Sequence, residues 1–170
     1  MQKTKGVDAL YTAWSQIAEQ RPDAHLVLAG PADKHYPPPF GPRVHYLGML
    51  PHEQTAILFN ALDVGIIYLR NTVFGRYCFP QKAYEMMACG LPIAAASVGV
   101  MPSLLATAPG SLYEAENPGD LARAVLSQLD RPVQAEVQIG DWKHVVAELG
   151  SRLQFIVDRS KPDSKPGRGG

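Results

Sequence analysis

The N-terminal part of the chain repeats apolar positions with the period of a helix. Val7, Leu10 and Trp14 follow one another at steps of three and four residues, so residues 7 to about 20 are predicted to form a helix with one apolar face. Pro22 follows this segment and is expected to end the helix.

Short, unbroken apolar runs alternate with helical segments along the rest of the chain. The run from His25 to Ala29, closed by Gly30, is typical of a strand buried on both faces of a parallel sheet. Further strands are predicted at residues 44–47, 64–68, 92–96 and 111–113, with helices over residues 51–62 and 81–89 and a helix capped by Asn117-Pro118. This alternation predicts an α/β fold with a Rossmann-like, doubly wound parallel sheet.

A last helix and a polar tail are expected at the C-terminal end. Asp141 is predicted to start the helix, with an inward apolar face made of Trp142, Val145, Val146, Leu149 and Leu153. From Ser160 the chain is charged and rich in proline and glycine, which predicts disorder. We therefore expect one domain over residues 1–159 and a disordered tail over residues 160–170.

Composition and charge narrow the classes of partner. The 170 residues are 46% hydrophobic, enough for one domain with a core of ordinary size. Lys plus Arg and Asp plus Glu both total 16, so no overall charge attracts the chain to nucleic acid or to an anionic membrane. Cys78 and Cys89 lack metal-ligand spacing and fit a reducing compartment, and no apolar stretch is long enough to span a bilayer. A soluble, cytoplasmic protein is expected.

The loop and helix after the third predicted strand hold the most informative polar residues. Ligands of open parallel sheets bind beyond the carboxyl ends of the strands, where helix N-termini present free N–H groups. Pro80 and Gly90 bound the helix, and Lys82 and Glu85 share one of its faces. A carboxylate in the second turn is placed to accept hydrogen bonds from a ribose diol while phosphates meet the N–H groups. The alternative is a solvated ion pair that contributes a few tenths of a kcal/mol.

The segment Phe79-Pro80-x-Lys82-x-x-Glu85, continued by x-Met-Ala-x-Gly-x-Pro-Ile, resembles the signature of retaining GT-B glycosyltransferases, especially family 4. The resemblance extends over most of residues 3–158. Its other parts, in order, are the turn Lys5-Gly6, the strand and glycine turn ending at Gly30, the loop around Gly48, the strand after Asp63, and the helix start Asp141-Trp142.

The resemblance implies a role for each matching position. Glu85 would bind the ribose hydroxyls of a nucleotide diphosphate sugar, and Lys5 would contact the diphosphate and act in catalysis. Backbone amides of Phe79, Gln81 and Lys82 would approach the phosphates or the sugar, and the glycine turns at Gly30 and Gly48 with Met49 would flank the nucleotide. Tyr77 stands where many members have a sugar-binding glutamate, which leaves Tyr77 and Arg76 as candidates for that contact.

The implied reaction is transfer of the sugar to an acceptor hydroxyl with retention of the anomeric configuration. Positive side chains and helix N–H groups would stabilise the departing diphosphate, so no metal or other cofactor is expected. The sequence leaves the donor base, the sugar, the acceptor and the oligomeric state open.

One departure from the family pattern concerns the N-terminus. In the family, a strand and a loop with a catalytic arginine precede the turn that Lys5-Gly6 resembles, and an acceptor-binding domain precedes both. Because a doubly wound sheet places its first strand centrally, we expect either a gap or direct pairing of the second and fourth strands. We also expect little or no turnover by this chain without an acceptor-binding domain or a separate acceptor-domain chain. The complete enzyme is expected to be at most peripheral to the inner face of the membrane.

Two other functions stand beside this one. The chain could be a non-catalytic nucleotide-sugar-binding module or fragment that works with a separate acceptor-domain chain. An unrelated dinucleotide-binding or flavodoxin-like protein is disfavoured, because no Gly-x-Gly-x-x-Gly follows a strand and no phosphate-binding Gly-Lys-Ser/Thr loop is present.

Overall fold

The computed structural model describes residues 7–34, 36–137, 139 and 142–160. The chain divides into two compact units, Met1–Val137 and Gln138–Gly170. Lys5, Asp141 and residues 161–170 lie outside the described residues, and the predicted domain over residues 1–159 stays a prediction.

Among the described residues, the first unit contains every strand and six helices, and the elements predicted for it from the sequence are confirmed. In chain order they are α1 (Val7–Gln20), β1 (Leu26–Leu28), β2 (Val44–Tyr46), α2 (His52–Asn60), β3 (Gly65–Ile67), α3 (Val73–Tyr77), α4 (Gln81–Ala88), β4 (Ile93–Ala96), α5 (Met101–Leu104), a 3-10 turn (Pro109–Ser111), β5 (Leu112–Tyr113) and α6 (Pro118–Asp130). The short helices α3 and α5 were not predicted. Five and four residues are too few to show a helical period.

The strands form two parallel sheets. One has the order β1-β2 and the other the order β3-β4-β5. The second and fourth strands of the expected full sheet correspond to β1 and β3, and these two are not paired. Of the two outcomes expected from the sequence, the gap is the one that the structure confirms.

Helices cover both faces of the strands, which makes the fold a partial Rossmann-like α/β domain. On one face, α1 and α6 pack against a core to which β1 and β4 both contribute, including Leu26, Leu28, Ala94 and Ala96. On the other face, α4 and α5 pack against Ile67, Ile93 and Ala95. Strand β4 lies centrally, because all four of its residues are buried.

The described residues of the second unit contain one long helix, α7 (Trp142–Ser160). The prediction of an inward apolar face is wrong for the three residues whose side chains are described, since Val146, Leu149 and Leu153 are 62%, 54% and 53% exposed. Among the described residues of this unit, α7 has no second element against which to bury an apolar stripe. Within the described part of the chain, no helix is long and apolar enough to cross a membrane.

Candidate functional site

Helix α4 begins at the position that the sequence predicted. Pro80 is its N-cap residue, with φ of −83°, and the N–H groups of Ala83 and Tyr84 both donate to the Pro80 carbonyl oxygen at 2.9 and 3.4 Å. Proline fits here because the N–H that it lacks would have no acceptor inside the helix. Helix α4 thus begins at Gln81, in the segment that leads from β3 through α3 to β4.

Glu85 is held by its two helical neighbours on the same face. Gln81 Nε2 donates to Glu85 Oε1 at 2.7 Å, and Lys82 Nζ lies 3.4 Å from Glu85 Oε2. The Glu85 side chain is 26% exposed and that of Lys82 is 67% exposed. Both carboxylate oxygens are thus oriented by partners that can exchange for ligand hydroxyls, because the amide and the ammonium belong to flexible side chains.

The backbone donors around Pro80 are not equivalent. The N–H of Gln81 donates to the Phe79 carbonyl oxygen at 2.9 Å, so this amide is already engaged in a tight turn. Among the described residues, the N–H groups of Phe79 and Lys82 have no backbone acceptor. Of the three amides expected to approach phosphate, two are therefore available in this structure and one is not.

Aromatic rings flank the start of α4. Phe79 and Tyr84 stack with their ring centroids 5.0 Å apart and an interplanar angle of 14°. Lys82 Nζ lies 5.9 Å from the centroid of the Phe59 ring, which belongs to α2. Phe59 is buried, whereas Phe79 is 62% exposed. These contacts pack against the start of α4 but leave the Phe79 ring largely exposed.

Helix α3 places the two candidates for the sugar contact. Thr72 caps it, since the Thr72 side chain accepts a hydrogen bond from the Gly75 N–H at 3.2 Å. Arg76 Nε donates to Asn71 Oδ1 at 2.8 Å, and Tyr77 is 84% exposed. The guanidinium therefore has a defined orientation, and the phenol of Tyr77 points away from the core.

Glycines allow α3 to lie close to its neighbours. A Cβ at Gly75 would collide with the Arg70 carbonyl oxygen, and one at Gly99 would lie 2.8 Å from the Arg76 carbonyl oxygen. Gly99 also has a φ of 62°, which disfavours other residues. The position of Arg76 and Tyr77 thus depends on backbone contacts that only glycine permits.

The loops after β1 and β2 are joined to each other. The Gly30 N–H donates to the Gly48 carbonyl oxygen at 2.7 Å, and the Tyr46 hydroxyl donates to the Gly30 carbonyl oxygen at 2.8 Å. Gly30 and Gly48 have φ of 108° and 67°, so both turns use the conformational freedom of glycine. Met49 follows with 71% of its surface exposed.

The predicted site residues form three groups in the structure. Gln81, Lys82 and Glu85 form one, Arg76 with Asn71 another, and the glycine turns with Met49 a third. Within the described residues, no hydrogen bond or ring contact joins the glycine turns to α4. The two regions are linked indirectly by α2, which follows Met49 along the chain and whose Phe59 ring contacts Lys82.

An ion-pair network near the same strand ends was missed by the sequence reasoning. Arg70 follows β3 after Tyr68 and Leu69, and its Nη2 lies 2.8 Å from Asp8 Oδ2 in the first turn of α1. Its Nε lies 3.5 Å from Glu116 Oε1, and Glu116 has an unusual φ of 64°. The position of Arg70 after a buried strand was a usable signal, but nothing in the sequence connects it to Asp8.

A cavity of about 560 Å³ opens at the ends of β4 and β5. It contains none of the predicted donor-binding residues. Its polar lining is Asn71, Ser97, Glu114, Glu116 and Asp120. Three carboxylates repel a diphosphate, so this cavity is not the candidate anion site. Across the described ranges, no group of three or more metal-ligating side chains occurs.

Three tyrosines pack in the same core, of which Tyr113 is buried and Tyr11 and Tyr68 are partly buried. Burial, reinforced by Tyr68 and other tyrosines, raises the pKa of Tyr11 to about 12. Burial also raises the pKa of Tyr68 and of Tyr113, whose hydroxyl donates to the Ile67 carbonyl oxygen at 3.1 Å. These phenols stay neutral near pH 7, so they serve as packing and hydrogen-bonding groups and not as bases.

Comparison with known proteins places these features in a family. The family model described as "Glycosyl transferases group 1" matches residues 1–131, which include both glycine turns, α3 and α4. A GDP-mannose-dependent monoacylated alpha-(1-6)-phosphatidylinositol monomannoside mannosyltransferase of Corynebacterium glutamicum is 26% identical, over 93% of this chain and 45% of the relative. A D-inositol 3-phosphate glycosyltransferase 2 of Catenulispora acidiphila is 27% identical, over 78% and 34%.

Solved structures share the fold at low sequence identity. The sucrose-phosphate synthase of Thermosynechococcus elongatus matches with a TM-score of 0.70 and 22% identity, over 94% of this chain and 44% of that one. Anabaena HepE, solved in complex with UDP-glucose, matches with a TM-score of 0.69 and 18% identity, over 91% and 46%. The chain thus spans less than half the length of these proteins. With a family model that matches most of its length, the chain belongs to the group 1 glycosyl transferases and has the fold of a GT-B, family 4-like domain.

Proposed function

We propose that these residues form the donor-binding half of a glycosyltransferase that uses a nucleoside diphosphate sugar and retains the anomeric configuration. The observation that carries the proposal is the first turn and a half of α4, where Glu85 is oriented by Gln81 and Lys82. In this proposal, the Glu85 carboxylate accepts two hydrogen bonds from the ribose diol, and the Gln81 and Lys82 side chains move aside as the ribose arrives.

The diphosphate would lie at the N-terminus of α4. The N–H groups of Phe79 and Lys82 lack backbone acceptors among the described residues, and the helix dipole favours negative charge at this end. The Lys82 ammonium, 67% exposed, can turn from Glu85 to a phosphate oxygen. Lys5, outside the described residues, would supply a second cation. We propose that these groups stabilise the leaving diphosphate without a resident metal.

The names of the relatives support the class of donor. One curated relative is named for its dependence on GDP-mannose, and one structural neighbour was solved with UDP-glucose. Both are nucleoside diphosphate sugars with a ribose diol and a diphosphate, the two groups that the α4 residues suit. Arg76 and Tyr77 lie beside this position on α3 and would contact the transferred sugar.

Binding, more than turnover, is the property that we assign to these residues. The described chain supplies donor-contacting groups on one side only, and catalysis of transfer also requires an acceptor hydroxyl held against the donor. We propose that the 170-residue chain binds the donor and transfers its sugar far more slowly than a protein that also carries an acceptor site. A transfer assay with this chain that reaches 1–10³ turnovers per second, roughly the usual range for enzymes, would contradict that part of the proposal.

Isothermal titration with UDP, GDP, UDP-glucose and GDP-mannose tests the proposal. The Glu85→Ala substitution removes the carboxylate and should lower the affinity for the tightest-binding ligand by about 10- to 150-fold, because a charged acceptor of two hydrogen bonds contributes roughly 1.5–3 kcal/mol. The matched control is Glu19→Ala, which removes an exposed carboxylate from the last turn of α1. Equal affinity of the wild-type and Glu85→Ala proteins for every nucleotide would return Glu85 to the role of a surface ion pair.

A further inference from the structure

Two histidines lie side by side on the first two strands of the chain. His25 Nδ1 is 2.8 Å from His45 Nε2, the ring centroids are 5.1 Å apart, and the ring planes are inclined by 22°. Both residues are exposed. One of the two nitrogens donates an N–H and the other accepts it, because two bare lone pairs would repel each other at this distance.

The ladder between β1 and β2 brings the two imidazoles together. The strands are parallel, and Val27 lies opposite His45 in their register. The N–H of Leu26, next to His25, donates to the Arg43 carbonyl oxygen at 2.8 Å. Because side chains alternate along a strand, His25 shares a face of the sheet with Val27, and the register places His45 on that same face. Backbone pairing therefore holds the two rings as neighbours.

The histidine pair lies on the face of the sheet that is turned away from α1 and α6. Leu26 and Leu28 are buried in the core beneath these helices, and Val44 packs partly buried against the same core. Alternation directs His25 and His45 to the opposite face. The pair is thus not part of this core, and an ion from solvent can reach it.

The separation of the two nitrogens suits coordination of one metal ion. Imidazole nitrogens bind first-row divalent metals at about 2.0–2.1 Å, so two of them at a right angle around one ion are about 2.9 Å apart. At a tetrahedral angle, the same two bonds would separate the nitrogens by about 3.4 Å. The observed 2.8 Å is closer to the right angle of square-planar and tetragonal sites, which are typical of Cu²⁺ and Ni²⁺.

The donor atoms indicate the same class of metal. Within the described ranges, no third metal-ligating side chain joins the pair, so the ligands are two nitrogens without a carboxylate. Such a set suits Cu²⁺ or Ni²⁺ and not Ca²⁺ or Mg²⁺, which require oxygen ligands. On binding, each of the two nitrogens gives a lone pair to the ion. The hydrogen that lay between them moves, by exchange with solvent, to the other nitrogen of its ring, and both rings stay neutral.

We propose that His25 and His45 form a two-histidine site for a divalent transition-metal ion, tightest for Cu²⁺, with water in the remaining coordination positions. The order of metals follows the general stability series for nitrogen ligands. The site is distinct from the proposed donor site. His25 precedes the amino end of β1, whereas the glycine turns at Gly30 and Gly48 follow the carboxyl ends of β1 and β2.

Isothermal titration of the nucleotide-free chain with CuCl₂ and with NiCl₂, in a buffer that does not chelate metals, tests the proposal. We expect one ion per chain in the tightest class of sites. His25→Ala and His45→Ala should each weaken this binding at least tenfold, because each removes one of the two protein ligands. The matched control is His52→Ala, which removes an exposed histidine at the start of α2 and should leave the affinity within twofold.

Two further variants distinguish a shared ion from two independent histidines. The double variant His25→Ala/His45→Ala should bind no more than about threefold more weakly than either single variant, because either loss already breaks the chelate. His25→Gln keeps a side chain that can hydrogen-bond to His45 but should lose the metal as His25→Ala does. Electron paramagnetic resonance of bound Cu²⁺ should show two imidazole nitrogens in the wild type and fewer in each single variant.

Three results would overturn the proposal. They are wild-type affinity for both metals in either single variant, an equal loss of affinity in His52→Ala, and additive losses in the double variant. Each would leave His25 and His45 as a hydrogen-bonded pair between strands, with no ion shared between their rings.

Discussion

Two polar clusters lie at the carboxyl ends of the strands, and they differ in what their side chains contact. The α4 cluster consists of Gln81, Lys82 and Glu85, and its members contact one another. The β5–α6 cluster consists of Glu114, Glu116 and Asp120. There, Asp120 accepts from the Glu114 N–H at 2.6 Å and from Arg123 Nε at 2.5 Å.

This difference indicates that the β5–α6 cluster stabilises the fold, whereas the α4 cluster is suited to bind a ligand. Carboxylates of the β5–α6 cluster are committed to the backbone, to a helix cap and to arginines, so a ligand would have to break the fold's own contacts. Partners in the α4 cluster are flexible side chains, and two nearby N–H groups have no acceptor in the described structure. The cavity is lined by the β5–α6 cluster, whereas the groups proposed to bind an anion belong to the α4 cluster, so volume alone does not identify the candidate site.

The largest expected effect is a loss of stability from a substitution in α3. Gly75→Ala would push a Cβ into the Arg70 carbonyl oxygen, so we expect a loss of about 2–4 kcal/mol in the free energy of unfolding. Urea denaturation measures it. Gly110→Ala is the control, because a Cβ there meets nothing within 4 Å. A loss for Gly75→Ala no larger than that of the control would mean that α3 is not fixed by this contact.

Loss of the Lys82 charge should weaken nucleotide binding without unfolding the domain. We expect Lys82→Ala to bind a nucleoside diphosphate about tenfold more weakly, equivalent to about 1.4 kcal/mol, because the charge-assisted phosphate contact is lost. Titration calorimetry measures this, with Lys143→Ala on α7 as the control. A stronger effect for the control would point to general surface charge as the cause.

In the β5–α6 cluster, a substitution is expected to lower stability without weakening nucleotide binding. Asn117 caps α6 by accepting from the Asp120 N–H at 3.1 Å, and its amide donates to Glu114 at 2.8 Å. Asn117→Ala should cost about 1 kcal/mol of stability, as the loss of a helix cap usually does. Its affinity for nucleotide should stay within twofold of wild type, and a larger loss would mean that this cluster also contacts the ligand.

The smallest effect is a dependence of stability on pH. The hydrogen bond from Arg123, followed by that from the Glu114 N–H, holds the pKa of Asp120 below its ordinary value. A lowered folded-state pKa stabilises the fold above the unfolded pKa of about 3.9, and this contribution disappears as the pH falls through the folded value. The stability difference between wild type and Asp120→Asn should therefore shrink on acidification below pH 4. A constant difference would contradict the assignment.

Sequence reasoning located α4 to within a residue, because Pro80 and Gly90 are local signals of a helix start and end. It missed α3, since Gly75 lowers helical propensity and the cap from Thr72 becomes visible only with the fold. Contacts between residues that are distant in sequence, such as Arg70 with Asp8, cannot be predicted from the periodicity of apolar positions. The engaged N–H of Gln81 depends on a turn geometry that Pro80 permits but does not dictate.

The family resemblance provided what local patterns could not. Periodicity alone left Lys82 and Glu85 as an ordinary ion pair, and the structure does contain that pair, at 3.4 Å. Only the surrounding motif favoured a binding site over a solvated face, because an empty ribose site on a helix would have the same intramolecular contacts as a surface salt bridge.

Amide chemical-shift mapping tests the central claim most directly, because it observes both clusters in one titration. On addition of a nucleoside diphosphate to the ¹⁵N-labelled chain, we expect saturable shifts at the amides of Phe79, Lys82 and Glu85, with those of Glu114 and Asp120 unmoved. Shifts confined to the β5–α6 cluster, or none at millimolar nucleotide, would contradict a donor site at the start of α4.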